Sequence, residues 1–358
     1  MKLTFPRLGN SHIYGRLLFR EIGIDIVIPP PNSAEGLERG AAFSPEDICL
    51  PFKIMLDNLM SAWEMGADTA IMPATMGPCR LGEYGELLSV TLGNNGCNYH
   101  WILLDSVSAI GIKELVGRLK SIVSESPCSY RCIYMAIIRT YRLVTLLEKL
   151  ESIAAVKNAY EKNDHLAQRV LRQCHHTLEK ANSLEAAIEI VRKSINKLDG
   201  IKENKESKPL KLLLTGDIFT LIDKFANHHI ENSLMSMGVA FEKNISIGWW
   251  IRSTILNPFG GIIADKKRNP YMPYRIGGYA KETVSDALKW KRRGYDGIVQ
   301  LFPAGCMPEI VAKSVFEGLS QKEGIPILSV IYDEMGGNVG YLTRIEAFTD
   351  MLLRKRDR

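Results

Sequence analysis

Short apolar runs alternate with helix-period stretches at both ends of the chain, and a long stretch of purely helical periodicity separates the two. In the first part, residues 2–5, 24–28, 69–72 and 100–104 have the compact apolar character of strands, and helices are expected near 11–22, 52–65 and 112–124. In the last part, strands are expected at 210–214, 297–302 and 326–331, with helices near 218–237, 280–293, 308–323 and 341–355. Such alternation predicts βαβ units and parallel sheets.

The middle differs. No glycine occurs between Gly117 and Gly200, and Pro127 is the sole proline there, which leaves long helices free to run. Leu143, Leu146, Leu147, Leu150 and Ile153 keep a 3.6-residue spacing, as do Leu184, Ala187, Ile188, Val191 and Ile195 after a cap at Asn182 or Ser183. Three or four helices are expected, followed by a charged linker at 199–209. The reading is therefore an α/β protein: two Rossmann-like parallel-sheet domains, 1–125 and 206–358, around a helical insert and linker at 126–205.

Three of the seven cysteines change the picture, because Cys49, Cys79 and Cys306 lie in turn-like segments rich in glycine and proline. Structural cysteines more often sit inside apolar periodic stretches. Cys79 and Cys306 follow expected strands, where an open parallel sheet presents ligands. Cys49 immediately precedes a helix, where backbone N–H groups and the dipole favour a thiolate. Together they suggest one site where two domains meet, with three thiolates holding an iron–sulfur cluster. Three thiolates leave one position of a four-iron cluster open, as catalysis requires. The plain rival is three unrelated turn cysteines. A closed zinc site would recruit a fourth Cys or His.

The segments Phe5-Pro6-Arg7-Leu8-Gly9-Asn10, Ser44 to Lys53 around Cys49, Gly77 to Gly85 around Cys79, and Gly305-Cys306-Met307-Pro308-Glu309 carry a resemblance to a known family. The chain resembles the 2-hydroxyacyl-CoA dehydratase component superfamily, and more closely its branch of CoA-enzyme-activase-related proteins, to which the double-cubane cluster proteins are akin. Gly216-Asp217-Ile218-Phe219 and the stretch from Gly340 to Phe348 extend the likeness over most of the chain. The resemblance implies a 4Fe–4S cluster on Cys49, Cys79 and Cys306, or an eight-iron double-cubane cluster. It also implies a separate ATP-dependent activator with its own cluster, a homodimer or paired homologous subunit, and chemistry on an acyl-CoA. Asp333-Glu334-Met335-Gly336-Gly337-Asn338 departs from the histidine-bearing version of close relatives.

Arg80, Glu83 and Tyr84 follow Cys79 directly and are candidates for proton donation or thioester contact, with a turn-stabilising salt bridge as the alternative. Cys97, in the turn Gly93-Asn94-Asn95-Gly96-Cys97, is the most credible fourth thiolate, but a surface or turn cysteine is the preferred reading there. Cys128 and Cys132 open an apolar helix and read as buried helix cysteines. Cys174-His175-His176 and His228-His229 are discounted as metal pairs, because adjacent helix residues point about 100° apart. Trp249 and Trp250, with Arg252, read as core packing or a stacking pocket, and Asp217 as a helix cap.

The net charge of +5, even with a basic C-terminal tail, is too mild to suggest a nucleic-acid binder. The first residues lack a signal-peptide h-region, and no apolar stretch is long enough to span a bilayer, so a cytoplasmic protein without membrane partners is expected. No G-x-x-x-x-G-K-[ST] or G-x-G-x-x-G motif occurs, which places ATP hydrolysis on another polypeptide. The chain is therefore expected to be a lyase or reductase component driven by low-potential electrons. The alternatives are a non-catalytic electron-transfer subunit and a metal-free acyl-CoA- or nucleotide-binding module.

Overall fold

The structure, a computed structural model, describes residues 1–73, 79–104, 107–162, 165–204, 206–253, 269–334 and 337–356. It is a mixed α/β protein with two parallel sheets. The first part runs β1 (Leu3–Thr4), α1 (Ser11–Glu21), α2 (Ala34–Ala42), α3 (Leu50–Glu64), β2 (Thr69–Pro73), one 3-10 turn (Arg80–Glu83), α4 (Tyr84–Asn94), β3 (His100–Leu104) and α5 (Val107–Val123). Its strands lie in the order β1-β2-β3, with Leu3 opposite Thr69 and Ala70 opposite Trp101.

Three long helices follow: α6 (Tyr130–Tyr160), α7 (Leu166–Glu179) and α8 (Leu184–Asp199). Ser183 caps α8 by accepting from the Ala186 N–H at 3.2 Å.

The last part contains β4 (Lys211–Gly216), α9 (Ile218–Ile222), α10 (Ile230–Ser236), β5 (Ala240–Lys243), α11 (Ile247–Ile251), α12 (Ala280–Ala287), α13 (Trp290–Arg293), β6 (Gly297–Pro303), α14 (Met307–Glu323), β7 (Ile327–Tyr332) and α15 (Asn338–Arg356). The sheet order is β5-β4-β6-β7, all parallel. Every residue of β6 is buried, as expected of a parallel strand covered on both faces.

Several elements depart from the sequence-based expectation. Residues 24–28 form no strand, only an isolated bridge between Leu3 and Ile26, and Pro29, Pro30 and Pro31 then remove the donors that would extend pairing. The helix expected over 218–237 is split into α9 and α10, and His228 and His229 turn the chain between them with φ of 51° and 55°. The helix over 280–293 is likewise divided. β5, α2 and α4 lie where no element is expected from periodicity.

One continuous buried cluster joins both sheets to the three long helices: Leu3 and Ile71, Leu143 and Leu147, and Leu212 and Leu301 all belong to it. The Pro6–Asn10 segment forms part of this junction. Arg7 N–H donates to Asn58 Oδ1 at 2.8 Å, and Gly9 N–H donates to Asp223 Oδ2 at 3.2 Å, which Asn32 also contacts at 3.0 Å. Gly9 has φ +52°, and an added Cβ would stand 2.7 Å from Ile222 Cγ2, so glycine is required by both backbone and space. Among the described residues, no helix is long and apolar enough to cross a membrane.

Candidate functional site

Cys49, Cys79 and Cys306 occupy equivalent local positions. Each is the N-cap of its helix, respectively α3, the 3-10 turn and α14, in extended backbone, and none of the three side chains takes up a capping hydrogen bond. Pro51 and Pro308 stand in the first turns of α3 and α14, where a missing N–H costs nothing. Cys49 Sγ bonds instead to the Tyr84 hydroxyl, and the Cys79 and Cys306 thiols feel the N–H groups of Leu81 and Glu309. Cys79 and Cys306 follow the carboxyl ends of β2 and β6, as expected; Gly77 and Pro78 lie outside the described residues.

The three thiols share one electrostatic neighbourhood. The charge on Cys49 pushes the Cys79 thiol up, and the charge on Cys79 pushes Cys306 up. Asp217, just beyond the carboxyl end of β4, pushes up all three. Gly216 makes this placement possible: its φ is +131°, and a Cβ there would lie 2.0 Å from the Leu301 carbonyl oxygen, so no side chain fits. Asp217 N–H then donates to Leu301 O at 3.0 Å, and its carboxylate accepts from the Thr220 N–H at 3.0 Å. The capping role expected of Asp217 is present; its reach to the thiols is not visible from the sequence.

Burial is the largest cause at every thiol and outweighs the helix-terminal N–H groups expected to favour a thiolate at Cys49. Cys49 and Cys306 are 9% and 7% exposed, and both thiols are pushed up; Cys79, less buried, is pushed up to about 11. Burial therefore holds the three thiols in their protonated forms at neutral pH.

Tyr84 is 1% exposed, and its hydroxyl hydrogen-bonds to Cys49 Sγ. Burial and the nearby Cys49, Asp217 and Cys79 hold the phenol well above its ordinary range, so it is the donor once Cys49 ionises. Arg80 reaches back to the Cys49 turn, donating to the Asp47 carbonyl at 2.7 Å and pairing with its carboxylate at 3.7 Å. The turn-stabilising salt bridge is thus formed, and the guanidinium also draws the Cys49 thiol downward. Glu83 is exposed and forms no ion pair among the described residues.

Residues outside the motifs close the site. Gly278 lies against Cys79, since a Cβ there would stand 3.7 Å from Sγ. Tyr279 follows it and meets Trp249 edge to face at 5.6 Å. Behind Cys306, Glu309 is 1% exposed; its carboxylate accepts from Gln300 at 2.8 Å and Thr283 at 3.2 Å, and Ser329 donates to Gln300 at 2.7 Å. Burial pushes this carboxyl up to about 8. Lys53, one turn beyond Cys49 and 3% exposed, pairs with Glu334 after β7. Met335 and Gly336 of the divergent segment lie outside the described residues.

The other cysteines are not brought to this place. Cys97 has Glu64 and Arg39 as its charged neighbours, Cys128 and Cys132 face each other beside Glu21 and Arg139, and Cys174 hydrogen-bonds to Ser194. His228 stacks on Tyr341 at 4.9 Å, and His175 pairs with Glu151 at 3.2 Å. Cys128 lies just before α6 and only Cys132 within it, and both are half-buried rather than buried.

As donors, three thiols beside a phenol and a carboxylate match the chemistry of iron–sulfur ligation. They are neighbours rather than a formed ligand shell: among the described residues, no group of three Cys, His, Asp or Glu stands ready to hold a metal ion.

No curated protein matches the chain. A family model described as the CoA enzyme activase uncharacterised domain matches residues 11–244, which takes in Cys49, Cys79 and Asp217 and ends before Cys306. As that match spans more than half of the 358 residues, the chain belongs to the CoA enzyme activase-related family.

Proposed function

We propose that Cys49, Cys79 and Cys306 hold a 4Fe–4S cluster, and that the protein is a component of the 2-hydroxyacyl-CoA dehydratase type. In this reading it receives low-potential electrons from an ATP-dependent activator and acts on an acyl-CoA, as a homodimer or beside a homologous subunit. The observation that carries the reading is the gathering of three uncapped N-cap thiols from distant parts of the chain around Asp217.

When bound, a cluster with three protein ligands supplies an electron together with one metal position open to an oxygen ligand. The chain's own residues do the rest. The Tyr84 hydroxyl hydrogen-bonds to the Cys49 sulfur, as donor once Cys49 is ionised, and fixes its direction. Arg80 ties the Cys79 turn to the Cys49 turn. Burial excludes water from Cys49 and Cys306, while Cys79 is the more open of the three. Loading displaces thiol protons, so metal affinity rises with pH.

Iron and acid-labile sulfide per chain after anaerobic purification test this, for the wild type and for Cys79→Ala. About four of each, lost in the variant, is the expected result. About eight iron per chain indicates a double-cubane cluster and requires Cys97, Cys128 or Cys132 to move to the site. No iron in either protein, even after reconstitution, overturns the redox reading and leaves a metal-free acyl-CoA- or nucleotide-binding module.

A further inference from the structure

A cavity of about 350 Å³ opens where α1, α6 and the carboxyl end of β5 meet. This is the end of a parallel strand at which such sheets bind ligands, and the volume is at the small end for small-molecule pockets. The thiol site does not account for it: α11 stands between, with Ile247 and Gly248 lining the cavity and Trp249 turned to Tyr279 beside Cys79.

The polar groups of the cavity fall into two sets. Inside, most charges already have partners. Glu151 meets Asn10 at 3.1 Å, His175 at 3.2 Å and Lys224 at 3.6 Å, and Lys243 pairs with Glu231 at 2.7 Å. Glu148 differs. It accepts from the Gly248 N–H at 2.7 Å and from Ser246, has no ion-pair partner among the described residues, and burial pushes its carboxyl up. At the rim, Lys149 and Arg252 are exposed and form no ion pair among the described residues. Between rim and interior, Tyr14, Ile222, Phe241 and Ile247 supply apolar wall.

Each class of ligand meets this arrangement differently. A simple anion deep in the cavity would stand against Glu148 and Glu151. A simple cation would leave Lys149 and Arg252 without counter-charge. A compact molecule with an ammonium group, a carboxylate and an apolar body satisfies both sets at once. We infer that this cavity binds a zwitterionic α-amino acid with an apolar side chain, its ammonium group on Glu148 and its carboxylate at Lys149 and Arg252.

The inference is independent of the cluster. Each apolar protein amino acid, from alanine to tryptophan, is tested at millimolar concentration by thermal denaturation, and the best is then measured by titration calorimetry. At least one should raise the melting temperature by a few degrees. Its decarboxylated amine and its deaminated acid should each bind at least about tenfold more weakly, as should the amino acid itself to Glu148→Gln. Arg252→Ala, at an exposed position, should keep the wild-type melting curve and still weaken binding severalfold. Cys79→Ala should bind as the wild type does, which separates this site from the thiols. The inference fails if no amino acid stabilises or binds, if the deaminated acid binds as well as the amino acid, or if Arg252→Ala binds unchanged.

Discussion

Two charged junctions lie at the carboxyl ends of the C-terminal sheet, and they are built on opposite principles. Around the thiols, Asp217, Glu309 and three cysteines accumulate acidic groups, all pushed toward their neutral forms, and the cation acting on Cys49 is the exposed Arg80. Around the cavity beside β5, the interior charges other than Glu148 are paired: Lys243 is held charged by Glu231 and Glu151, and Glu151 is held ionised by Lys224 and His175. A buried group of like potential carries its protons until positive charge arrives; a paired one is complete already. The difference teaches what each place accepts. The first holds protons that the positive charge of the proposed cluster would displace, and the second offers the proposed amino acid charges of both signs.

Removing one charge from each junction should have opposite consequences. Lys243→Met strands Glu231, whose side chain is only 9% exposed, and should cost about 3 kcal/mol in chemical denaturation. Wild-type stability in this variant would erase the distinction. Asp217→Asn keeps a capping oxygen for α9 but removes the charge facing the thiols. Alkylation of Cys79 at neutral pH, followed by peptide mass spectrometry, should accelerate roughly tenfold for each unit by which the thiol falls.

The acidic junction should also show in the pH dependence of stability. The Glu309 carboxyl is raised to about 8, so its contribution is full below the ordinary carboxylate range and is lost as pH rises through about 8. Glu309→Gln should flatten that decline in denaturation curves between mildly acidic and mildly alkaline pH. The smallest effect is reserved for a position in neither junction. Ser183→Ala removes the α8 cap and should cost about 1 kcal/mol while leaving iron content unchanged.

Much of the framework was legible from periodicity because β4, β6 and β7 are compact apolar runs and α8 repeats Leu184, Ala187, Ile188, Val191 and Ile195 on its buried face. β5 was not, since Ala240-Phe241-Glu242-Lys243 has only two apolar residues, and its pairing with β4 is a tertiary fact. Glycine hides α2: Gly36 and Gly40 dilute its helical signal, yet a Cβ at Gly40 would stand 1.9 Å from the Lys53 carbonyl oxygen. The three thiols stood out through their turn contexts. Asp217 did not, because a capping role fully accounts for an aspartate between a strand and a helix. Only the folded chain brings it to Cys79 and Cys306.

The residues of the thiol junction are spread over the sequence, at positions 49, 79, 217 and 306. Chains leave the ribosome amino end first, at roughly 5–20 residues per second. Cys49 and Cys79 are therefore exposed while Asp217 and Cys306 are still unsynthesised, and the two early thiols wait on the order of ten seconds or more for the third. If the proposed cluster is held by all three thiols, its insertion accordingly follows synthesis of Cys306 rather than of the first two ligands.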